Sequence, residues 1–153
     1  MSWLPLDALS MGTDAPQEFP MIRDGELRGS FPPDPSELVV YVHGWLEGMT
    51  GDAAAQANAV AGAVEAQGYD ATVVGFTYPA NLPLWYPSKT IAARKGRELA
   101  AWVEAFSAEC PDAPVRIVAH SLGARPALSW LDDLAERDAS VRSCSLLGAA
   151  VDC

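Results

Sequence analysis

Apolar residues along this chain fall into short β-branched runs separated by stretches with a helical repeat. The runs are LVVYV (38–42), ATVVGF (71–76), VRIVA (115–119) and VRSCSLL (141–147). Continuous apolar runs of this length are what strands buried on both faces look like. After the first run, Ala57, Val60, Ala61 and Val64 recur at i, i+3, i+4 and i+7, which is one face of a helix. Thr50 or Asp52 can cap its start, because a side-chain oxygen there accepts an orphan N–H, and Gly68 suits the left-handed position past its end. TYPANLPLWYPS (77–88) reads as a Pro- and aromatic-rich loop, with Ser88 capping a second helix whose inner face is Leu99, Trp102, Val103 and Phe106. A third helix places Leu128, Leu131, Leu134 and Ala135 inward. Strands alternating with helices of ordinary length predict an α/β protein, a mostly parallel sheet in a three-layer α/β/α sandwich.

Residues 1–36 lack that rhythm. EFPMI and ELRGSF flank Asp24-Gly25 and read as a weak hairpin on a DG turn, and Pro32-Pro33-Asp34-Pro35 then breaks the chain before a core at 37–153. No linker, repeat or low-complexity tract divides the chain, so a single domain over 1–153 is expected.

Charge narrows the partners. Twenty acidic residues against ten basic ones give a net charge of −10. Phosphate backbones repel such a surface, which argues against nucleic acid as a partner. The basic residues are mainly arginine, Lys89 and Lys95 being the only lysines, and alanine is abundant. This composition resembles salt-adapted, halophilic proteins, and it also fits an ordinary acidic one. The start, MSWLPLDALSMG, has neither the basic nor the long apolar region of a signal peptide, and no apolar stretch reaches the length of a membrane span. A soluble, cytoplasmic protein is the expectation. Cys110, Cys144 and Cys153 form no CxxC pair, and no metal-ligand spacing or nucleotide-binding loop is present, so neither metal nor cofactor is expected. Cys144, inside an apolar run, reads as a small core residue.

The third run leads straight into Ala119-His120-Ser121-Leu122-Gly123. The pattern is close to G-x-S-x-G, in which a serine sits on a tight strand-to-helix turn, with Ala119 in place of the first glycine. The residues two before and two after the serine are expected to face each other closely, which keeps both small. Such a turn lifts Ser121 above the carboxyl ends of the strands and sets it at a helix N-terminus, where free N–H groups favour negative charge. A plain serine cap in a tight βα turn would give the same five residues; the strand before and the helical period after favour the elbow. Pro126, early in the helix, removes a donor and has no evident purpose.

The first run ends at His43-Gly44-Trp45. With an HG pair after one strand and a serine elbow after a later one, the chain resembles the α/β-hydrolase superfamily, and the lipases and esterases within it, over roughly residues 38–150. The resemblance implies a hydrolase fold that lacks its C-terminal strands. It implies Ser121 as nucleophile, with the backbone N–H groups of Trp45 and Leu122 as the oxyanion hole. His43, Gly44, Ala119, His120 and Gly123 would shape the elbow and its facing loop. His43 would be the structural histidine of that loop, although a histidine closing a strand needs no such role. Tyr78, Leu82, Leu84, Trp85 and Tyr86 would wall an acyl pocket, or simply pack on the domain.

The triad order in this fold is serine, acid, histidine, yet the only histidines are His43 and His120, and neither follows Ser121. Where one lipase group carries its acid, this chain has Leu147-Gly148-Ala149-Ala150, and Asp152 is a weak substitute. The expectation is therefore a carboxylic-ester hydrolase acting on a small-molecule ester or lipid-like substrate, nearly inactive as this isolated chain. Its base and acid would lie in sequence beyond residue 153 or on a complementing chain. The alternative is a non-catalytic binding or assembly module that self-associates or pairs through an open sheet edge.

Overall fold

The computed structural model describes residues 18–45, 52–79, 85–137 and 140–151. Six strands form one sheet in the order β2-β1-β4-β3-β5-β6. They are β1 (Met21–Arg23), β2 (Glu26–Arg28), β3 (Leu38–Val42), β4 (Thr72–Thr77), β5 (Val115–His120) and β6 (Ser143–Leu147). Every pairing is parallel except the β1–β2 hairpin. Helices α1 (Asp52–Ala66), α2 (Trp85–Glu109) and α3 (Ala124–Ala135) fill the crossovers. From β3 the chain steps one way to β4, then reverses past β3 to β5 and β6. Right-handed connections then put α1 on one face of the sheet and α2 and α3 on the other. This is the expected α/β class with helices on both faces.

Strand β3 is dry on both faces, and β5 buries every second residue. All five residues of β3 are buried, as are Val73, Val74 and Phe76 of β4 and Val115, Ile117 and Ala119 of β5. The hairpin turns on Asp24 (φ 51°) and Gly25 (φ 78°), two left-handed residues in succession, as a tight DG turn requires. It is more than an appendage, because β1 pairs in parallel with β4 and closes that side of the sheet.

Three features depart from the sequence pattern. Helix α2 begins at Trp85, so Ser88 lies inside it, fully buried, and does not cap it. Pro87 falls in the first turn, where an N–H has no intrahelical partner to lose, so proline is tolerated there. The inward stripe of α3 is Ala127, Trp130 and Leu134, with Ala135 exposed. That phase is set by docking on α2: a Cβ on Gly96 would lie 2.6 Å from the Pro126 carbonyl oxygen and 2.9 Å from the Trp130 nitrogen, so the two helices meet at backbone distance. The buried Pro126 belongs to this contact. Finally, β6 is an edge strand and is not buried on both faces; Leu146 and Leu147 are 37% and 51% exposed, and Cys144 is only half-buried.

No helix among the described residues is long and apolar enough to cross a membrane. Thr50, Leu82, Leu84, Asp152 and Cys153 lie outside the described residues, as do the side chains of Asp52 and Trp85.

Candidate functional site

Helices α1 and α3 leave the adjacent strands β3 and β5 toward opposite faces, which opens a crevice at the carboxyl ends of those strands, where open α/β sheets bind ligands. Val42 is the register partner of Ala119, and Gly123 sits against the carbonyl oxygens of Val42 and His43. The two sequence motifs therefore converge at one point of the sheet.

Ser121 has φ 51°, a left-handed backbone that serine adopts at a cost of about 1–3 kcal/mol. It opens a single 3-10 turn, Ser121–Gly123, that leads into α3. Its carbonyl oxygen accepts from the Ala124 N–H and, at 3.0 Å, from the Ala150 N–H. The Ala150 carbonyl in turn accepts from Arg125 Nε at 3.0 Å, so the segment after β6 is pinned against the elbow. Leu122 is fully buried.

Gly123 has an ordinary helical backbone (φ −60°), so conformation does not demand glycine there. Space does. An added Cβ would strike the Val42 carbonyl oxygen and lie 2.5 Å from that of His43. Its tight neighbours are the last carbonyls of β3 and not Ala119, so the reason for a small residue differs from the expected one. Ala119, fully buried, pairs along the strand with Val42.

His43 is fully buried. The Tyr78 backbone N–H points to its Nε2 at 3.2 Å, and an N–H can only donate, so Nε2 is the acceptor. The proton is then on Nδ1, which donates to the Gly44 carbonyl at 2.7 Å. Thr77 Oγ1 also lies 3.2 Å from Nε2. Because the peptide is planar and trans, holding the Gly44 C=O toward the ring sends the Trp45 N–H the opposite way. The Tyr78 ring stacks on the imidazole at 4.5 Å, and its hydroxyl donates to the His43 carbonyl at 3.0 Å. Tyr78 is therefore committed to holding His43 and is only 3% exposed, which leaves it no open pocket to wall.

His120 ends β5, half-buried, beside Leu147 of β6. Tyr86 is 77% exposed in the first turn of α2. After Leu147 the chain turns at Gly148 (φ 57°), and residues 148–151 carry no carboxylate. Trp45 is partly buried against the core. Among the described residues no group of His, Cys, Asp or Glu is arranged to hold a metal ion.

The support from Thr77 and Tyr78 escaped the sequence reading, although a signal existed. Thr77 ends β4 and Tyr78 follows it, and the register pairing Phe76 with Val42 places them next to His43 and Gly44.

Grooves open beside the sheet among the described residues. One of about 820 Å³ lies at the amino ends of the strands, among Glu37, Asp70, Asp112 and Arg142. Another, of about 780 Å³, runs between the start of α2 and the first turns of α3, and includes Arg125, one helical turn past Ser121. No protein-family model, curated protein or solved structure matches this chain.

Proposed function

We propose that this chain carries the nucleophile and oxyanion-binding part of a serine hydrolase with the α/β-hydrolase fold, acting on carboxylic esters in the manner of lipases and esterases. The observation that carries this reading is the left-handed backbone of Ser121 at the carboxyl end of a central strand. A non-glycine residue held in that region points to a site where strain serves a purpose. Ser121 Oγ attacks the ester carbonyl carbon and expels the alcohol, leaving an acyl-enzyme that water hydrolyses. The N–H groups of Trp45 and Leu122 receive the developing oxyanion, with the Trp45 peptide aimed by His43. His43 cannot be the base, since both its ring nitrogens are engaged in a buried network. His120, like His43, precedes Ser121, so this chain holds no histidine at the triad's usual place after the serine, and its ester turnover is expected near background.

A fluorophosphonate reaction followed by peptide mass spectrometry tests the assignment. The expected adduct is on Ser121, formed faster than on any other serine in the same digest and absent from Ser121→Ala. No preference for Ser121 would overturn the nucleophile. Full Ser121-dependent turnover by the isolated chain would overturn the expectation of near-background activity.

The two sheet edges favour a second reading as an assembly module. Edge strand β2 is three residues long and carries exposed Glu26 and Arg28, a device that discourages pairing. Edge strand β6 is five residues, SCSLL, without charge. Light scattering separates the readings: self-association abolished by Leu147→Lys, without any Ser121 adduct, supports assembly alone.

A further inference from the structure

We propose that the groove between α2 and α3 is a subsite for a doubly charged anionic group, of which a phosphate monoester is the fitting class, on the substrate or a ligand of this chain. Four of the ten basic residues of this strongly acidic protein line it: Lys89, Arg94, Arg97 and Arg125. Among the described residues no carboxylate lines it.

The placement follows from helix geometry. Tyr86, Arg94 and Arg97 recur along one stripe of α2, and Arg125 and Ser129 stand one turn apart on α3. The backbone contact at Gly96 brings these stripes together. Of the six basic residues elsewhere, Arg28 pairs with Glu26, Lys95 with Glu98 and Asp24, Arg116 with Glu37, and Arg137 with Asp133 and Glu104, while Arg23 and Arg142 have no ion pair among the described residues. Arg94 and Arg97 have no ion-pair partner among the described residues, and both are exposed. Guanidinium forks bind phosphate oxygens in pairs, and two of them match a dianion better than a single carboxylate. A groove of about 780 Å³ admits a small molecule. Arg125 links it to the elbow through Ala150, whose N–H bonds the Ser121 carbonyl.

That the anion belongs to the substrate rests on Ser121 being the nucleophile; binding of the anion does not, so the two fail separately. The test is calorimetric titration of the full chain with inorganic phosphate at low ionic strength. Acetate serves as the singly charged control and phosphatidylglycerol vesicles as the lipid-surface control. Wild type and Ser121→Ala are expected to bind phosphate saturably and alike, with affinity falling as salt rises. Arg94→Gln combined with Arg97→Gln, both at exposed positions, is expected to weaken binding roughly tenfold or more, as loss of charge-assisted hydrogen bonds implies. Circular dichroism confirms that the double variant is folded. No saturable phosphate binding, acetate binding as tight as phosphate, an unaffected double variant, or binding to vesicles without binding to phosphate would each overturn the proposal. Loss of the Ser121 adduct with intact phosphate binding would overturn only the link to catalysis.

Discussion

Replacing Gly123 by alanine isolates the contact between the elbow and β3. The backbone at Gly123 (φ −60°) is open to any residue, so the added methyl is opposed only by its neighbours. Those are the Val42 carbonyl oxygen and, 2.5 Å away, that of His43, both backbone atoms of a buried central strand. Neither can swing aside as a side chain would. Overpacking of this kind costs about 1–3 kcal/mol. The entropy lost by the unfolded chain returns about 0.4–1 kcal/mol. The net loss is about 1–2 kcal/mol, or about 2–8 °C in Tm for a chain of this size. Gly62→Ala in α1 is the control, since nothing lies within 4 Å of a Cβ there; helix propensity alone should raise stability by up to about 1 kcal/mol. Thermal melts followed by circular dichroism give both values. Fluorophosphonate labelling of Ser121 should also slow in Gly123→Ala, because displacing the His43 carbonyl disturbs the Trp45 peptide. A Gly123→Ala chain that melts at or above wild type would refute the contact and, with it, the argument that β3 and the elbow form one rigid unit.

Two further outcomes follow from local chemistry. Ser121→Gly should melt above Ser121→Ala, because glycine adopts φ 51° without the penalty of about 1 kcal/mol that a Cβ incurs; equal or reversed melting temperatures would mean the turn is unstrained. Burial pushes the Cys144 thiol above its ordinary value, so the unfolded chain loses that proton first as pH rises. Its stabilising contribution is whole below the ordinary thiol pKa of about 8.5 and is lost as pH climbs through the raised value. Melts at neutral and alkaline pH should therefore show a steeper alkaline loss for wild type than for Cys144→Ala, and parallel losses would contradict the burial.

What was legible in the sequence was what short-range physics decides. The runs 38–42 and 115–119 became β3 and β5 with their ends nearly in place: β3 is buried on both faces, which admits only apolar side chains, and β5 buries Val115, Ile117 and Ala119 on one face with Arg116 on the other. Asp24-Gly25 gave its turn, because few other pairs tolerate two left-handed residues. The order of the HG pair and the serine was visible for the same reason, each standing at the end of such a run. Long-range packing was not legible. The phase of α3 depends on Gly96 letting α2 approach, and Gly96 carries no periodic signal of its own. The apolar letters of β6 looked like an interior strand, yet exposure depends on what lies beyond it, and its own residues do not record that. Tyr78 looked like a pocket wall because aromatic loop residues often are; only the β3–β4 register reveals it as the support of His43.

The strain at Ser121 joins these levels. A left-handed serine relaxes unless its surroundings leave no alternative. Here the restraints come from segments far apart in sequence: the close seat of Gly123 on the ends of Val42 and His43, the buried Leu122 between them, and the Ala150 N–H on the Ser121 carbonyl. None of the three is local in the manner of a helix cap. Each requires that β3, β5 and β6 already be paired in register. The serine geometry is therefore a product of sheet assembly and not a property of the pentapeptide, and the pentapeptide by itself would not hold it. The same dependence explains why the residue just after β3, His43, is buried with its hydrogen bonds spent on backbone: it fixes the facing strand end against which the elbow is held.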